Sequence, residues 1–125
     1  MNLRRFRNKR PYKILNSRGD VIFSPLYFAD SFSSRFMGLM FVPPPNLPWG
    51  IILKPCNAIH TIGMRFNLDV FFLDDDNQVL EIRRDVTPWS LCRNKKARSV
   101  LECPAGNIPL NEINIGSQIF FEDFF

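Results

Sequence analysis

A strand–turn–strand pattern between residues 69 and 82 constrains the fold of this chain more than any other feature. Asp69–Leu73 is an apolar run rich in Val and Phe, and Gln78–Ile82 alternates polar and apolar residues. The four residues between them, Asp74–Asn77, are of the types that form tight turns. Two short apolar runs around such a cluster predict an antiparallel β-hairpin.

The rest of the chain favours more short strands between turns. Thirteen Phe residues favour strands, and ten Pro residues interrupt helices and central strands. Further strands are predicted over Tyr12–Asn16, Val21–Phe28, Gly50–Leu53, Ser99–Cys103 and Gln118–Glu122. We therefore expect a mainly β protein, a single compact antiparallel sandwich or barrel-like domain with one or two short helices.

Four local features refine this prediction. Pro25 indicates an edge position or a bulge in the second strand. Polar N-cap residues predict a short helix over Ser33–Leu39. The polar segment Asp85–Arg98 predicts a loop, and Asn107–Asn114 predicts one helical turn that Pro109 weakens.

The basic character of the chain is confined to its beginning. Residues 1–18 hold seven of the sixteen Lys and Arg residues and no acid, whereas the remainder holds nine basic and twelve acidic residues. We predict a disordered basic arm over residues 1–11 and a single β-rich domain over residues 12–125. The arm could contact nucleic acid or an anionic surface by nonspecific attraction, but a solvated tail is the favoured alternative.

The cysteines and the start of the chain bear on the compartment. Cys56, Cys92 and Cys103 cannot all pair within one chain, no Cys-x-x-Cys is present, and free thiols are typical of a reducing compartment. No apolar run approaches the roughly 18 residues of a membrane span. The basic start is followed by Pro11 and Tyr12 rather than by the apolar core of an export signal. We expect a cytoplasmic protein without a transmembrane segment, and an upstream start is left open.

Several short segments, in a fixed order over residues 20 to 122, resemble one small prokaryotic family. They are Phe36–Met40, Cys56–Phe66, Leu68–Asp74, Pro88-Trp89, Val100–Glu102, Pro104–Gly106 and Ile115-Gly116. The chain is identified as similar to the domain of unknown function 192 family (DUF192), in the branch with His-Thr at His60-Thr61. The resemblance implies a compact, mainly β sandwich-like domain and brings no activity, substrate or catalytic residue with it.

Polar and aromatic residues gather in the segments that flank the predicted hairpin, where sandwich proteins usually carry their sites. Asp69 and Glu102 lie among apolar strand residues, so each needs a partner, for which Arg65 and His60 are the natural candidates. We expect a non-catalytic binding or accessory domain with a polar pocket near His60, for a small ligand or a protein segment and without a cofactor. The predicted binding residues are His60, Thr61, Met64, Arg65, Asp69, Trp89 and Glu102.

Two other functions are left open by the same residues. A hydrolase could use His60 as a base, with Cys56 or Cys92 as nucleophile and Asp69 as the orienting acid. A soft metal ion such as Cu(I) could be held by the thiol, imidazole and thioether of Cys56-x3-His60-x3-Met64. No phosphate-binding or zinc-hydrolase motif is present, so the sequence does not favour an enzyme.

Overall fold

The computed structural model describes residues 10–29 and 49–125. These residues contain no α-helix, and hence none that could cross a membrane. The helix predicted over Ser33–Leu39 and most of the predicted basic arm lie outside the described residues. In chain order the strands are β1 (Tyr12–Leu15), β2 (Val21–Ala29), β3 (Gly50–Leu53), β4 (Ala58–His60), β5 (Leu68–Leu73), β6 (Val79–Val86), β7 (Leu91–Arg93), β8 (Ser99–Pro104) and β9 (Phe120–Asp123).

Seven of the described strands form a main sheet in the order β6-β5-β8-β3-β2-β1-β9, and β4 pairs with β7 in a separate small sheet. The predicted hairpin is present as β5 and β6, which pair antiparallel with Phe71 opposite Ile82. Asp74 closes its turn, because Oδ1 accepts hydrogen bonds of 2.9 Å from the backbone N–H groups of Asp76 and Gln78. The prediction of a mainly β fold is confirmed.

One strand pair departs from the predicted antiparallel arrangement. β2 and β3 run parallel, with Leu26 opposite Gly50 and Ala29 opposite Leu53. Residues 30–48 connect them, and parallel neighbours need a long connection of this kind. β2 lies between β3 and β1, and Pro25 sits where the register between β1 and β2 shifts. The bulge predicted from Pro25 is therefore present, and the edge position is not.

Alternate residues of the main-sheet strands point to opposite sides of the sheet. We call one side the small-sheet side, because its buried residues pack against Ile59 of β4 and Cys92 of β7. Gly50 lies where β3 passes β8, and a Cβ atom there would come within 2.9 Å of the carbonyl oxygen of Glu102. The main-sheet residues buried on this side include Ile51, Leu53, Val70, Phe72 and Val100.

The opposite side, here called the loop side, is covered by the connection between β8 and β9. Ile108, Ile113 and Ile119 of this connection are buried against the sheet. The main-sheet residues that they help to bury include Ile14, Ile52, Phe71, Leu73 and Leu101. Every residue of β5 and β8 is buried, which places these two strands at the centre of both cores.

Two segments differ from their predictions. Asp85–Arg98, predicted as a loop, contains the end of β6 and all of β7. The missed strand is only three residues long, and its burial pattern is exposed–buried–exposed, so its apolar Leu91 points outward. Asn107–Asn114 forms turns rather than a helical turn, and these turns bring Ile108 and Ile113 into the core of the loop side.

Candidate functional site

The small sheet presents its outer side to solvent and its inner side to the core. In the pairing of β4 with β7, Ile59 lies opposite Cys92 and His60 lies opposite Leu91. Ile59 and Cys92 are buried, whereas Leu91 is 74% exposed. Since neighbouring residues of a strand point to opposite sides, His60 and Leu91 share the outer side.

Thr61 fixes the end of the small sheet to the loop before β7. Its Oγ1 donates to the carbonyl oxygen of Thr87 at 2.8 Å and accepts from the backbone N–H of Ser90 at 2.7 Å. Its own N–H donates to the Ser90 carbonyl, and its carbonyl accepts from the N–H of Trp89 at 3.1 Å. Thr61 is therefore a buried clamp that positions the residues around it and does not itself face a ligand.

Trp89 is held in an unusual position by this clamp. Its φ is +64°, a conformation that costs a bulky residue on the order of 1–3 kcal/mol unless the surroundings impose it. Its side chain is nevertheless 74% exposed, and Ile62, next to Thr61, is 44% exposed. With this exposure Trp89 does not plug the core, and its ring is accessible to a partner. We call the group His60, Ile62, Trp89 and Leu91 the Trp89 surface.

The remaining predicted residues near this surface have different surroundings. His60 is half-buried, and its Nδ1 accepts a hydrogen bond of 3.2 Å from the backbone N–H of Ile62. Met64 is buried in the core on the small-sheet side. Arg65 is exposed and directly follows the turn that the N–H of Met64 closes onto the carbonyl of Thr61.

The two segments that build the Trp89 surface are basic. Neither residues 54–66 nor residues 87–98 contain an Asp or a Glu, so all twelve acidic residues of the chain lie elsewhere. The basic residues of these segments are Lys54, Arg65, Arg93, Lys95, Lys96 and Arg98. Arg98 reaches away from the small sheet to Asp75, with 3.3 Å between Nε and Oδ1.

Asp69 belongs to a different region, on the loop side of the main sheet. It lies opposite Cys103, and its carboxylate accepts from Arg84 Nη1 at 3.0 Å and from the backbone N–H groups of Asp85 at 2.9 Å and Gly106 at 3.0 Å. The partner expected from sequence was Arg65 or His60, and that expectation was wrong. An open cleft of about 440 Å³ adjoins this group. Because three donors already satisfy Asp69, we interpret it as a structural tie.

Arg84, which was not among the residues predicted from the sequence, completes this tie. Its Nη1 also donates to the carbonyl of Ile108 at 2.7 Å, and its guanidinium carbon lies 5.2 Å from the centre of the Phe71 ring. Arg84 thus connects β5, β6 and the start of the loop-side connection. No local pattern distinguishes it from its exposed neighbour Arg83.

Glu102 lies in the main sheet on the small-sheet side. It is opposite Ile51 on β3 and Val70 on β5, both of which belong to the core of that side. Its side chain is 3% exposed and makes no hydrogen bond or ion pair with the described residues. Burial raises the pKa of the Glu102 carboxyl from 4.5 to about 8, so it is largely protonated at pH 7. The indole N–H of Trp49, two residues before Ile51, is also buried, and it has no hydrogen-bond partner among residues 10–29 and 49–125.

The three thiols are not joined in disulfides. Cys56 Sγ donates to the carbonyl of Ala58 at 3.0 Å. Burial raises the pKa of the Cys92 thiol and that of the Cys103 thiol, which lowers their nucleophilicity at neutral pH.

The geometry bears on the two alternative functions. The oxygens of Asp69 are engaged by Arg84 and two backbone N–H groups, so the predicted acid for a Cys–His pair is occupied. Met64 lies in the core, and within residues 10–29 and 49–125 no three His, Cys, Asp or Glu side chains cluster as metal ligands would. These observations do not support either alternative, but none of them tests the whole hydrolase or metal site, so both functions stay predictions.

Comparison with known proteins places the whole described fold in one group. A model of the family DUF192, described as "Uncharacterized ACR, COG1430", matches residues 14–121. A UPF0127 protein of Thermococcus sibiricus is 34% identical over 114 residues, which cover 87% of this chain and 73% of the relative. UPF0127 protein PF1050 of Pyrococcus furiosus is 29% identical and is matched over 82% of this chain and 91% of its own length.

Two solved structures share the fold. One, from Sinorhizobium meliloti 1021, is described as a candidate transcription regulator; it superimposes with a TM-score of 0.76 at 19% identity, over 90% of this chain and 93% of that chain. The other, a protein of unknown function from Novosphingobium aromaticivorans DSM 12444, gives a TM-score of 0.73 at 20% identity, over 88% of this chain and 83% of that chain. Identities this low show a common fold and no more.

Proposed function

This chain belongs to the uncharacterised DUF192 family, and from that premise we propose that it is a non-catalytic binding domain. The Trp89 surface holds the partner, which is a segment of another protein. His60, Ile62, Trp89 and Leu91 make the contacts, and Thr61 positions them from below. Asp69 and Glu102, which the sequence predicted to belong to the same binding site, are not part of the Trp89 surface.

The exposure of Trp89 carries this proposal. A large aromatic side chain in water leaves a favourable burial energy of roughly 1.5–3 kcal/mol unused. Here that side chain is also held at a positive φ by hydrogen bonds to Thr61, so the backbone is shaped to present it. Tryptophan is among the residues that most often dominate binding energy at protein interfaces.

The composition of the surface favours binding over catalysis. Its exposed members Ile62, Trp89 and Leu91 are apolar, and they lie in the two segments that Thr61 joins by hydrogen bonds at the end of the small sheet. The two segments that build it provide one imidazole and no carboxylate, which leaves acid–base chemistry little to work with. Contiguous exposed apolar residues with a polar rim are typical of protein interaction sites.

A displayed library of random peptides tests the proposal. The full chain is immobilised, binders are selected, and each Kd is measured by fluorescence anisotropy with the wild type, Trp89→Ala and Leu110→Ala. Leu110 is the matched control, because it is an equally exposed apolar residue at the cleft beside Asp69. Trp89→Ala should weaken binding about 30-fold or more, and Leu110→Ala should leave it unchanged. If no selected peptide distinguishes the two variants, the proposal is wrong.

Thr61 offers a second test of the same surface. Thr61→Val removes the hydroxyl that holds Thr87 and Ser90, whereas Thr61→Ser keeps it. Selected peptides should bind the Ser variant as they bind the wild type and the Val variant more weakly. The emission of Trp89 should change in the Val variant, whereas the buried Trp49 serves as an internal reference.

A further inference from the structure

We infer that the segment bound at the Trp89 surface is extended and acidic, with apolar residues alternating with Asp or Glu. This inference rests on the proposed function and names the chemistry of its partner. The charge of the surface and its size carry it.

The two segments that build the Trp89 surface are one-sided in charge. All acidic residues lie outside residues 54–66 and 87–98, where six basic residues lie. The carboxylate of Glu81 reaches the second segment at Asn94, and Arg83 pairs with it. Residues 19–125 taken whole carry more acid than base, so this local excess is not a reflection of overall charge. Complementary charge at an interface speeds association and excludes partners of like charge.

One of these cations lies on the small sheet beside the apolar residues. Arg93 is opposite Ala58, on the outer side and two residues beyond Leu91. Arg65 is exposed and directly follows the turn that the N–H of Met64 closes onto the carbonyl of Thr61. A ligand that covers Leu91 therefore meets the positive charge of Arg93 on the same side of the sheet.

The dimensions of the surface favour a linear segment over a folded partner. The small sheet consists of two strands of three residues each, with Leu91 exposed on β7 and with Ile62 and Trp89 exposed beyond the strand ends. A stable interface between folded proteins needs about 800 Å² on each side, which is more than such a sheet can supply. An extended peptide places alternate side chains on one face about 6–7 Å apart, which suits the two-residue spacing of the outward residues Leu91 and Arg93 on β7.

Two other anionic occupants fit less well. Single-stranded nucleic acid binds through aromatic platforms on which successive bases stack, and the surface offers one exposed indole and one half-buried imidazole beside two aliphatic side chains, which have no π-face. An anionic membrane attracts basic residues without any requirement for shape, whereas the clamp at Thr61 fixes the position of Trp89. Both are included as competitors in the test.

Three synthetic peptides test the charge requirement on the full-length chain. They share a pattern of alternating leucines, and between the leucines carry Asp and Glu, the isosteric Asn and Gln, or Lys and Arg. Kd is measured by fluorescence anisotropy. The acidic peptide should bind at least about tenfold more tightly than the amide peptide, and this preference should shrink between about 0.05 and 0.5 M salt. The basic peptide should bind most weakly.

Matched charge reversals locate the effect. Arg93→Glu should weaken the acidic peptide about tenfold or more and improve the basic peptide, because the sign of the local charge is reversed. Arg18→Glu changes the net charge equally at the distant β1–β2 turn, where Arg18 is exposed, and should change neither Kd. Oligothymidylate and vesicles containing phosphatidylserine are added as competitors and should not displace the acidic peptide.

The outcomes separate this inference from the proposed function. Equal binding of the three peptides, lost in Trp89→Ala, contradicts the inference and leaves the proposed function standing. Binding of the acidic peptide that survives in Trp89→Ala contradicts both. Displacement by oligothymidylate or by vesicles, or no binding by any of the three peptides, overturns the inference, whereas the display selection then decides the proposed function by itself.

Discussion

Two buried carboxyl groups lie on neighbouring strands at the centre of the main sheet, and their surroundings are opposite in kind. Asp69 on β5 faces the loop side and receives hydrogen bonds from Arg84 and from two backbone N–H groups. Glu102 on β8 faces the small-sheet side among apolar residues, and the described residues give it no hydrogen bond. Equal burial thus leaves one carboxyl group with three hydrogen-bond donors and raises the pKa of the other to about 8, because Glu102 lacks donors among the described residues.

The largest expected effect is the pH dependence that Glu102 imposes on stability. Its pKa is raised in the folded state, so the folded chain keeps a proton that the unfolded chain loses above pH 4.5. The contribution of Glu102 to the free energy of unfolding is therefore greatest below about pH 4.5, falls as the pH rises to about 8, and then levels off. The fall amounts to at most about 5 kcal/mol.

Glu102→Gln checks this effect, because glutamine has nearly the same shape and does not titrate. Urea unfolding between pH 5 and 8 should show a much flatter profile for the variant than for the wild type. At pH 8 the variant should be the more stable of the two. Equal slopes would mean that Glu102 is ionised in the folded state, and its contrast with Asp69 would disappear.

Asp69→Ala should lower the free energy of unfolding by about 3–5 kcal/mol at pH 7. The substitution leaves a partly buried guanidinium without its carboxylate and two backbone N–H groups without an acceptor. Asp76→Ala, in the exposed hairpin turn, is the control and should change stability by less than about 0.5 kcal/mol. Similar losses in the two variants would show that Asp69 is not a tie.

Arg84→Lys is the mildest of the three changes. Lysine keeps the charge and loses the fork that reaches Asp69 and Ile108 together, as well as the flat contact with the Phe71 ring. We expect a loss of about 1–2 kcal/mol in chemical unfolding. The same substitution at the exposed neighbour Arg83 should cost less. If Arg83→Lys lowered the free energy of unfolding more than Arg84→Lys, Arg83 rather than Arg84 would be the cation that stabilises the fold.

Local pattern was sufficient to predict the β5–β6 hairpin and the apolar strands on either side of it. β7 was missed because its outward residue, Leu91, is apolar, so binary patterning misleads there. The parallel pairing of β2 with β3 was missed because periodicity carries no information on strand direction. The length of the connection over residues 30–48 was the available signal, since parallel neighbours require a long crossover.

The site was predicted less completely than the fold. The sequence grouped His60, Thr61 and Trp89 because their segments flank the predicted hairpin, and a hydrogen bond from the N–H of Trp89 joins it to Thr61. That these residues bind a ligand stays a prediction. The sequence also assigned Asp69 and Glu102 to that site. A buried acid in a strand pattern shows that a partner is needed. Only the three-dimensional packing shows that Asp69 has Arg84 as its partner and that Glu102 has none in the part of the chain that the structure describes.

The buried thiols of Cys92 and Cys103 have a practical consequence. A thiol that is shielded from solvent and has a raised pKa reacts with an alkylating reagent only when the surrounding strands separate. The alkylation rate of Cys92 therefore measures how often the small sheet separates from the core, and that of Cys103 measures how often the main sheet opens. The two native thiols thus allow partial unfolding to be followed at two places without an added label.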